Sequence, residues 1–454
     1  MAPRRLLGLL LGTLLLSGCS IYRDYDQEMQ LTTEPLSAGD PDSALGLLEQ
    51  HNPWRSKDLL YYFEKGELLR TKGDLIDSQL TWRRADREIF KWEEQVRFDT
   101  GKYLAQLGSF LINDKVRRYD GYDYEKVMLT TQMALNLLDL NDFDGARTEI
   151  KKTHEREALI AGVRDKEYLR LEQQARDQGI DLQYKDLQGY PVATLDAPEV
   201  LELKNSYQSA FSHYLAGFVY QALGERTLAA PGYRKAIELR PHTPLLEQAL
   251  RDLDKPAARA DQSEVLIIVQ SGLAPARDSV RVPLMVDVKG QPTPTLMSFP
   301  VIKPDTSTPP ISHISVNGRP QPLTLLNSTS AMSRRALHDD MPGIILRTNL
   351  RAQLAASRQA ALRKKNPKLA DEDLVMLELR EKADTRTWRT LPDNTQVVRL
   401  RLKKGEQHLS VANSPPIKVK VDLPYQVINL RVVGRQVFVS GQAVRARDVA
   451  SRAR

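Results

Sequence analysis

The chain has one cysteine in 454 residues, Cys19. A single thiol forms no intrachain disulfide and leaves no second sulfur for a cysteine metal site. Histidine is also scarce, at seven. His154-Glu155 stands on helical sequence, but position 158 is Ala, so the two-histidine zinc motif is missing. His338-Asp339-Asp340 has no second histidine beside it and reads as an exposed polar helix turn. There is no glycine-rich phosphate loop, no Gly-x-Ser-x-Gly elbow and no Ser-x-x-Lys motif. The expectation is a chain that is not an enzyme, with no cofactor and no metal. Carboxylates are plentiful, so a glycosidase pair stays open, but no two are singled out.

Long apolar runs are missing too, except near the start. Arg4 and Arg5 precede an apolar stretch from Leu6 to Leu16, then Ser17, Gly18 and Cys19. This is the layout of an export signal, and it is too short to span a bilayer, which takes about 20 apolar residues. Leu16-Ser17-Gly18-Cys19 resembles the lipobox of bacterial lipoproteins. That resemblance implies cleavage after residue 18 and acylation of Cys19; an ordinary signal peptide with a chance cysteine is the alternative. Ser20, rather than Asp, after the cysteine favours the outer membrane, at its periplasmic face. No later run reaches 18 apolar residues.

What is present divides in two. Residues 19–260 carry 33 Lys+Arg against 41 Asp+Glu, a net of −8, and residues 261–454 carry 30 against 17, a net of +13. Such asymmetry suits docking between the halves, or a basic face toward an anionic envelope partner rather than nucleic acid.

Three segments of the acidic half share one spacing. Gly66, Leu69, Gly73, Ser78, Trp82 and Ala85 recur as Ala134, Leu137, Asn141, Ala146, Ile150 and Thr153, and again as Gly217, Tyr220, Gly224, Ala229, Tyr233 and Ala236, with Pro241 following. Small residues at helix crossings, large ones beside them and a turn residue between resemble the tetratricopeptide repeat. Residues 109–126 read as a loop inserted in a degenerate repeat, with Asn113, Tyr119, Tyr122 and Tyr124 as notable members. Residues 142–178 read as one long helix.

Beyond a polar linker the period changes to that of strands. Residues 264–272 read as a buried strand, with 280–288 as its hairpin partner. The proline-rich stretch 290–310 must be loop or edge strand, and Asn317-Gly318 marks a hairpin turn. Helical sequence interrupts from 331 to 382, with a break expected at Met341-Pro342-Gly343. Residues 388–412 read as a loop and a hairpin turning at Lys404-Gly405-Glu406.

The expected fold is α+β and multidomain: an all-α tetratricopeptide-like solenoid, then a β-rich domain with an inserted helical arm. The expected bounds are a signal at 1–18, a tether at 19–34, helical repeats at 35–254, a linker at 255–263, the β-rich domain at 264–442 and a frayed tail at 443–454. The chain as a whole resembles an uncharacterised family of Gram-negative envelope lipoproteins with tetratricopeptide-like repeats. The segments that carry this are Asn113-Asp114 with Tyr124-Glu125, Ala134-Leu135-Asn136, residues 271–275 (SGLAP) and residues 384–392 (DTRTWRTLP). The family implies fold and location but no reaction.

Two candidate contact regions follow. In this repeat class the first helix of each unit lines the concave face, which selects Leu60, Phe63, Met128, Leu135, Phe211, Tyr214 and Phe218. So apolar a groove can hold a partner helix, or be filled by the chain itself, for example by the 142–178 helix. Arg386, Trp388 and Arg389 make a candidate surface loop for an acidic or glycan partner, or a loop anchored by a buried Trp. The expected function is a non-enzymatic, membrane-anchored periplasmic scaffold for protein partners. The alternatives are an envelope enzyme acting on cell-wall glycan and an accessory regulator of peptidoglycan synthesis.

Overall fold

The computed structural model describes residues 24–101, 118–183, 185, 187, 189–256, 258–411 and 414–440. Cys19, Asn113 and the tail from 441 lie outside them.

The helical half comprises α1 (Tyr25–Ala38), α2 (Pro41–His51), α3 (Leu59–Lys72), α4 (Leu75–Phe98), α5 (Asp123–Asp139), α6 (Phe143–Gln178), the single turn α7 (Pro198–Leu201), α8 (Ala210–Ala222), α9 (Arg226–Leu239) and α10 (Pro244–Arg251). The three similar segments are three helix hairpins, α3–α4, α5–α6 and α8–α9. Their shared spacing has a steric cause. A Cβ on Gly66 would lie 2.1 Å from the Trp82 indole, and one on Gly217 would lie 2.5 Å from the Tyr233 ring. Glycine is therefore needed in the first and third hairpins, where the first helix meets an aromatic ring sixteen residues later; the second pairs Ala134 with Ile150 at the same spacing. Ser78 adds a hydrogen bond to the Gly66 carbonyl, at 2.7 Å. Gly73 turns the chain out of α3 in the left-handed conformation, at φ 97°.

The described part of the segment expected as a tether is helical from Tyr25. Asp24 caps α1, and Tyr25, Met29 and Leu36 are buried on one face of it. The segment is polar in composition, but its apolar residues fall at i, i+4 and i+11, one side of a helix.

The described residues continue with the strands β1 (Gln262–Ser271), β2 (Ala276–Val288), β3 (Gln291–Lys303), β4 (His313–Val316), β5 (Arg319–Pro322), β6 (Thr324–Ser328), β7 (Asn394–Lys403), β8 (Gly405–Val411), β9 (Ile417–Val421), β10 (Tyr425–Val433) and β11 (Gln436–Val439). They form a five-stranded sheet ordered β11-β10-β1-β7-β6, a four-stranded sheet ordered β5-β4-β8-β9 and a β2–β3 ribbon. Two expected pairings are corrected. Residues 280–288 do not pair with β1; they pair with β3, while β1 lies between β10 (parallel) and β7 (antiparallel). β7 and β8 are not a hairpin, because the chain passes from one sheet to the other at Lys404, leaving β8 to pair with β4 and β9. The turn at Asn317-Gly318 stands as expected, with both residues at positive φ.

β1 shows why the layers stack as they do. Val265, Ile267 and Val269 face the four-stranded sheet and share a core with Ile314, Leu409 and Val421. Leu266 and Ile268 point the other way and share a core with Phe211, Phe218 and Leu135 of the repeats. A strand buried on both faces is a continuous apolar run, which is what VLIIV is.

α11 (Thr329–Lys365) and α12 (Pro367–Arg380) form the inserted helical pair. α11 runs through Met341-Pro342-Gly343 without the expected break. Met341, Ile344 and Ile345 share a core with Phe299 and Val301 of β3. That burial on both sides of Pro342 outweighs the one backbone hydrogen bond the proline removes. Among the described residues, no helix is long and apolar enough to cross a membrane.

Candidate functional site

The seven groove residues do come together, but none is open to a partner: Leu60, Phe63, Met128, Leu135, Phe211, Tyr214 and Phe218 are all buried. What covers them is the β-rich half rather than the long α6. Phe63 stacks on Trp388, with ring centroids 4.6 Å apart. Phe218 meets the edge of Tyr425 at 5.8 Å and lies under the Arg399 guanidinium at 5.3 Å. The concave face is thus an internal interface.

The loop containing Arg386, Trp388 and Arg389 is not a surface loop. Trp388 is fully buried, and Arg389 is buried as well. Two glutamates from the helical half hold it. Glu64 accepts hydrogen bonds from the Arg389 and Thr390 backbone N–H groups at 2.6 and 2.9 Å, and from the Tyr25 hydroxyl at 2.7 Å. Glu125 accepts from the Trp388 N–H at 2.7 Å, the Tyr122 N–H at 2.9 Å and the Tyr119 hydroxyl. Burial pushes the Glu64 carboxyl up to about 7 and raises Glu125 as well, while these donors hold both back. The Ala274 N–H donates to the Leu391 carbonyl at 2.7 Å. Three of the four segments that carry the family resemblance therefore meet at one junction: Tyr124-Glu125, residues 271–275 and residues 384–392.

Alongside lies an ionic seam. Arg431 on β10 donates to Glu67 at 3.2 Å and to the Thr390 carbonyl at 3.1 Å. Arg70 pairs with Asp139 at 3.2 Å, and Asp139 also accepts from Asn429 at 2.6 Å. Burial opposes charge throughout, raising Glu67, raising Asp139 to about 6 and lowering Arg431. The charge asymmetry between the halves is spent here in part, on docking one against the other.

Next to the junction is a cavity of about 630 Å³ between the start of α5, the middle of α6, α11 and the ribbon. Its wall charges are mostly used internally. Arg164 takes three carboxylates, Asp123 at 2.6 Å, Asp340 at 2.6 Å and Glu167 at 3.2 Å. Asp384 pairs with Arg386 at 2.7 Å, and Asp339 with Arg335 at 3.0 Å. Lys126 sits 3.6 Å from the Trp92 ring centroid and pairs with Asp123. Carboxylates tied to arginines in this way are poor general acids and bases. His338 of the expected polar turn faces this cavity beside Asp339. Among the described residues, no group of three or more metal-type ligands occurs.

Glu64, Glu67, Arg70, Arg277 and Arg431 were not singled out from sequence. One signal was available: Glu64, Glu67 and Arg70 interrupt an apolar helix at three-residue intervals, where solvent-facing charge would be expected to segregate from the core. They face the core, because their partners are remote in sequence: residues 389–390 for Glu64 and Arg431 for Glu67 lie over 300 residues away, and Asp139 for Arg70 lies 69 away.

No family model matches the chain, and no curated protein matches it. Among solved structures, the chain is similar to a tetratricopeptide repeat protein from Parabacteroides merdae ATCC 43184, determined by crystallography at 2.39 Å resolution. The likeness spans 52% of this chain and 99% of that one, at 16% identity and a TM-score of 0.14, a score at which it carries no argument.

Proposed function

We propose that the chain is a non-enzymatic scaffold of the cell envelope, held at the periplasmic face of the outer membrane by an acylated Cys19. Its tetratricopeptide-like half serves as the cradle for its own β-rich half, so partner contact falls to another surface. The observation that carries this is the division of apolar surface. The concave face is covered, whereas the α11–α12 arm leaves Leu354, Leu369, Val375 and Leu379 exposed. The arm's tip is basic, with Arg363, Lys364, Lys365 and Lys368 all exposed. A protein partner of acidic surface with apolar anchors suits that combination.

Two experiments test the two parts. A Cys19→Ser variant is expected to stay unprocessed or to leave the membrane fraction; unchanged processing and membrane association would remove the anchor. A photoreactive residue at Leu379 in intact cells is expected to cross-link one discrete protein, and charge reversal at Lys364, Lys365 and Lys368 is expected to abolish that product. Cross-linking to lipid alone would replace the protein partner with the membrane surface.

A further inference from the structure

Arg277 on β2 is 2% exposed, lines the cavity beside the junction, and makes no ion pair among the described residues. Its Nε and Nη1 meet no hydrogen-bond acceptor. Among the described residues its guanidinium lies over the face of Tyr122, with the ring centroid 4.2 Å from the guanidinium carbon. Tyr122 in turn stacks on Tyr124, with centroids 5.9 Å apart and planes 2° from parallel. A buried guanidinium without an anion is costly, and a fold that holds one normally supplies a partner. Asp340 and Asp384 favour its charge from the cavity wall but form no ion pair with it; Asp340 is engaged by Arg164 and Asp384 by Arg386.

We propose that this cavity binds a small organic oxyanion, a carboxylate or phosphate monoester, whose charged group pairs with Arg277. The fork of the guanidinium suits either group, because both accept two parallel N–H bonds. The volume fits a small molecule rather than a bare ion. Tyr168 and Tyr207 in the cavity lining offer flat apolar surface for the ligand's body. The site stands where α5, α6, α11 and β2 converge, so an occupant would touch both halves of the chain at once. This inference does not depend on the scaffold reading.

The test uses the full chain purified in detergent, with sodium phosphate, glucuronate and glucose 1-phosphate as probes. Glucose and sodium chloride at matched ionic strength are the controls. At saturating concentration at least one anionic probe is expected to raise Tm by about 2 °C or more over the controls. Titration calorimetry is expected to show affinity falling by about tenfold or more in Arg277→Met. Arg277→Lys, which keeps the charge and loses the fork, is expected to fall between them. Stronger response to glucuronate than to glucose 1-phosphate would assign a carboxylate, and the reverse a phosphate. Two outcomes overturn the proposal: no probe stabilises the wild type beyond the controls, or Arg277→Met binds as tightly as wild type. Should Arg277→Met fail to fold, the comparison passes to Arg277→Lys and Tyr122→Leu, where undiminished binding in both is equally contrary.

Discussion

Trp388 belongs to the β-rich half by sequence and to the helical half by packing, so replacing it tests whether the two halves are one unit. The side chain is fully buried, stacks on Phe63 at 4.6 Å, meets the edge of Trp82 at 6.0 Å and donates from Nε1 to Thr390 at 3.1 Å. An indole of this kind buries roughly 200 Å², which at about 25 cal/mol per Å² gives an upper bound near 5 kcal/mol. The bound falls at the top of the range of about 3–5 kcal/mol measured for Trp or Phe to Ala in cores. Trp388→Ala is therefore expected to cost about 3–5 kcal/mol. Urea unfolding would be followed at once by far-UV circular dichroism, dominated by the repeats, and by proteolysis within residues 255–263. Both probes are expected to shift together, because the same residue supports both halves. A loss below about 1 kcal/mol, the level of surface substitutions, or a shift in one probe only, would refute the packing argument. A cycle with Phe63→Leu should return a coupling of about 0.5–1.5 kcal/mol if the stacking itself contributes.

Glu64→Gln should change how stability depends on pH. The carboxyl sits at about 7 in the folded chain against 4.5 for the free group, so its contribution is complete below pH 4.5 and is lost as pH rises through 7. That difference is on the order of 3 kcal/mol, and chemical denaturation at pH 5 and pH 8 should show the wild type losing more than the variant does. Gly217→Ala places a Cβ 2.5 Å from Tyr233 and is expected to cost about 1–3 kcal/mol by overpacking; thermal unfolding unchanged from wild type would show that α8 and α9 are not so closely apposed. Gly46→Ala is the control, since nothing lies within 4 Å of that position, and it should match or exceed wild-type stability.

The helix hairpins were legible because their information is local. Gly66 and Trp82, or Gly217 and Tyr233, carry the crossing geometry within one segment, and repetition of the spacing makes it visible. The sheets were less legible because their pairings are remote. β1 lies parallel to β10, with Leu266 opposite Val427, and nothing near residue 266 names that partner. The same distance hid the site. Glu64 and Glu125 look like ordinary helix charges until residues 387–390 arrive from the far half with unpaired backbone donors. Trp388 was conspicuous from composition, but whether it faced solvent or Phe63 depended on where that loop docked. Pro342 misled in the opposite direction, since a local rule was overridden by burial on either side of it.

The repeat groove is filled by this chain's own β-rich half, so the repeats and the sheet should open together. Hydrogen exchange on the purified chain distinguishes joint from independent opening. The amides of α8 and of β1 are expected to be equally and strongly protected, opening only with global unfolding, while those of α12 exchange quickly. Rapid exchange along α8, at rates well above those of β1, would mean that the groove opens independently of the sheet and is not filled by it.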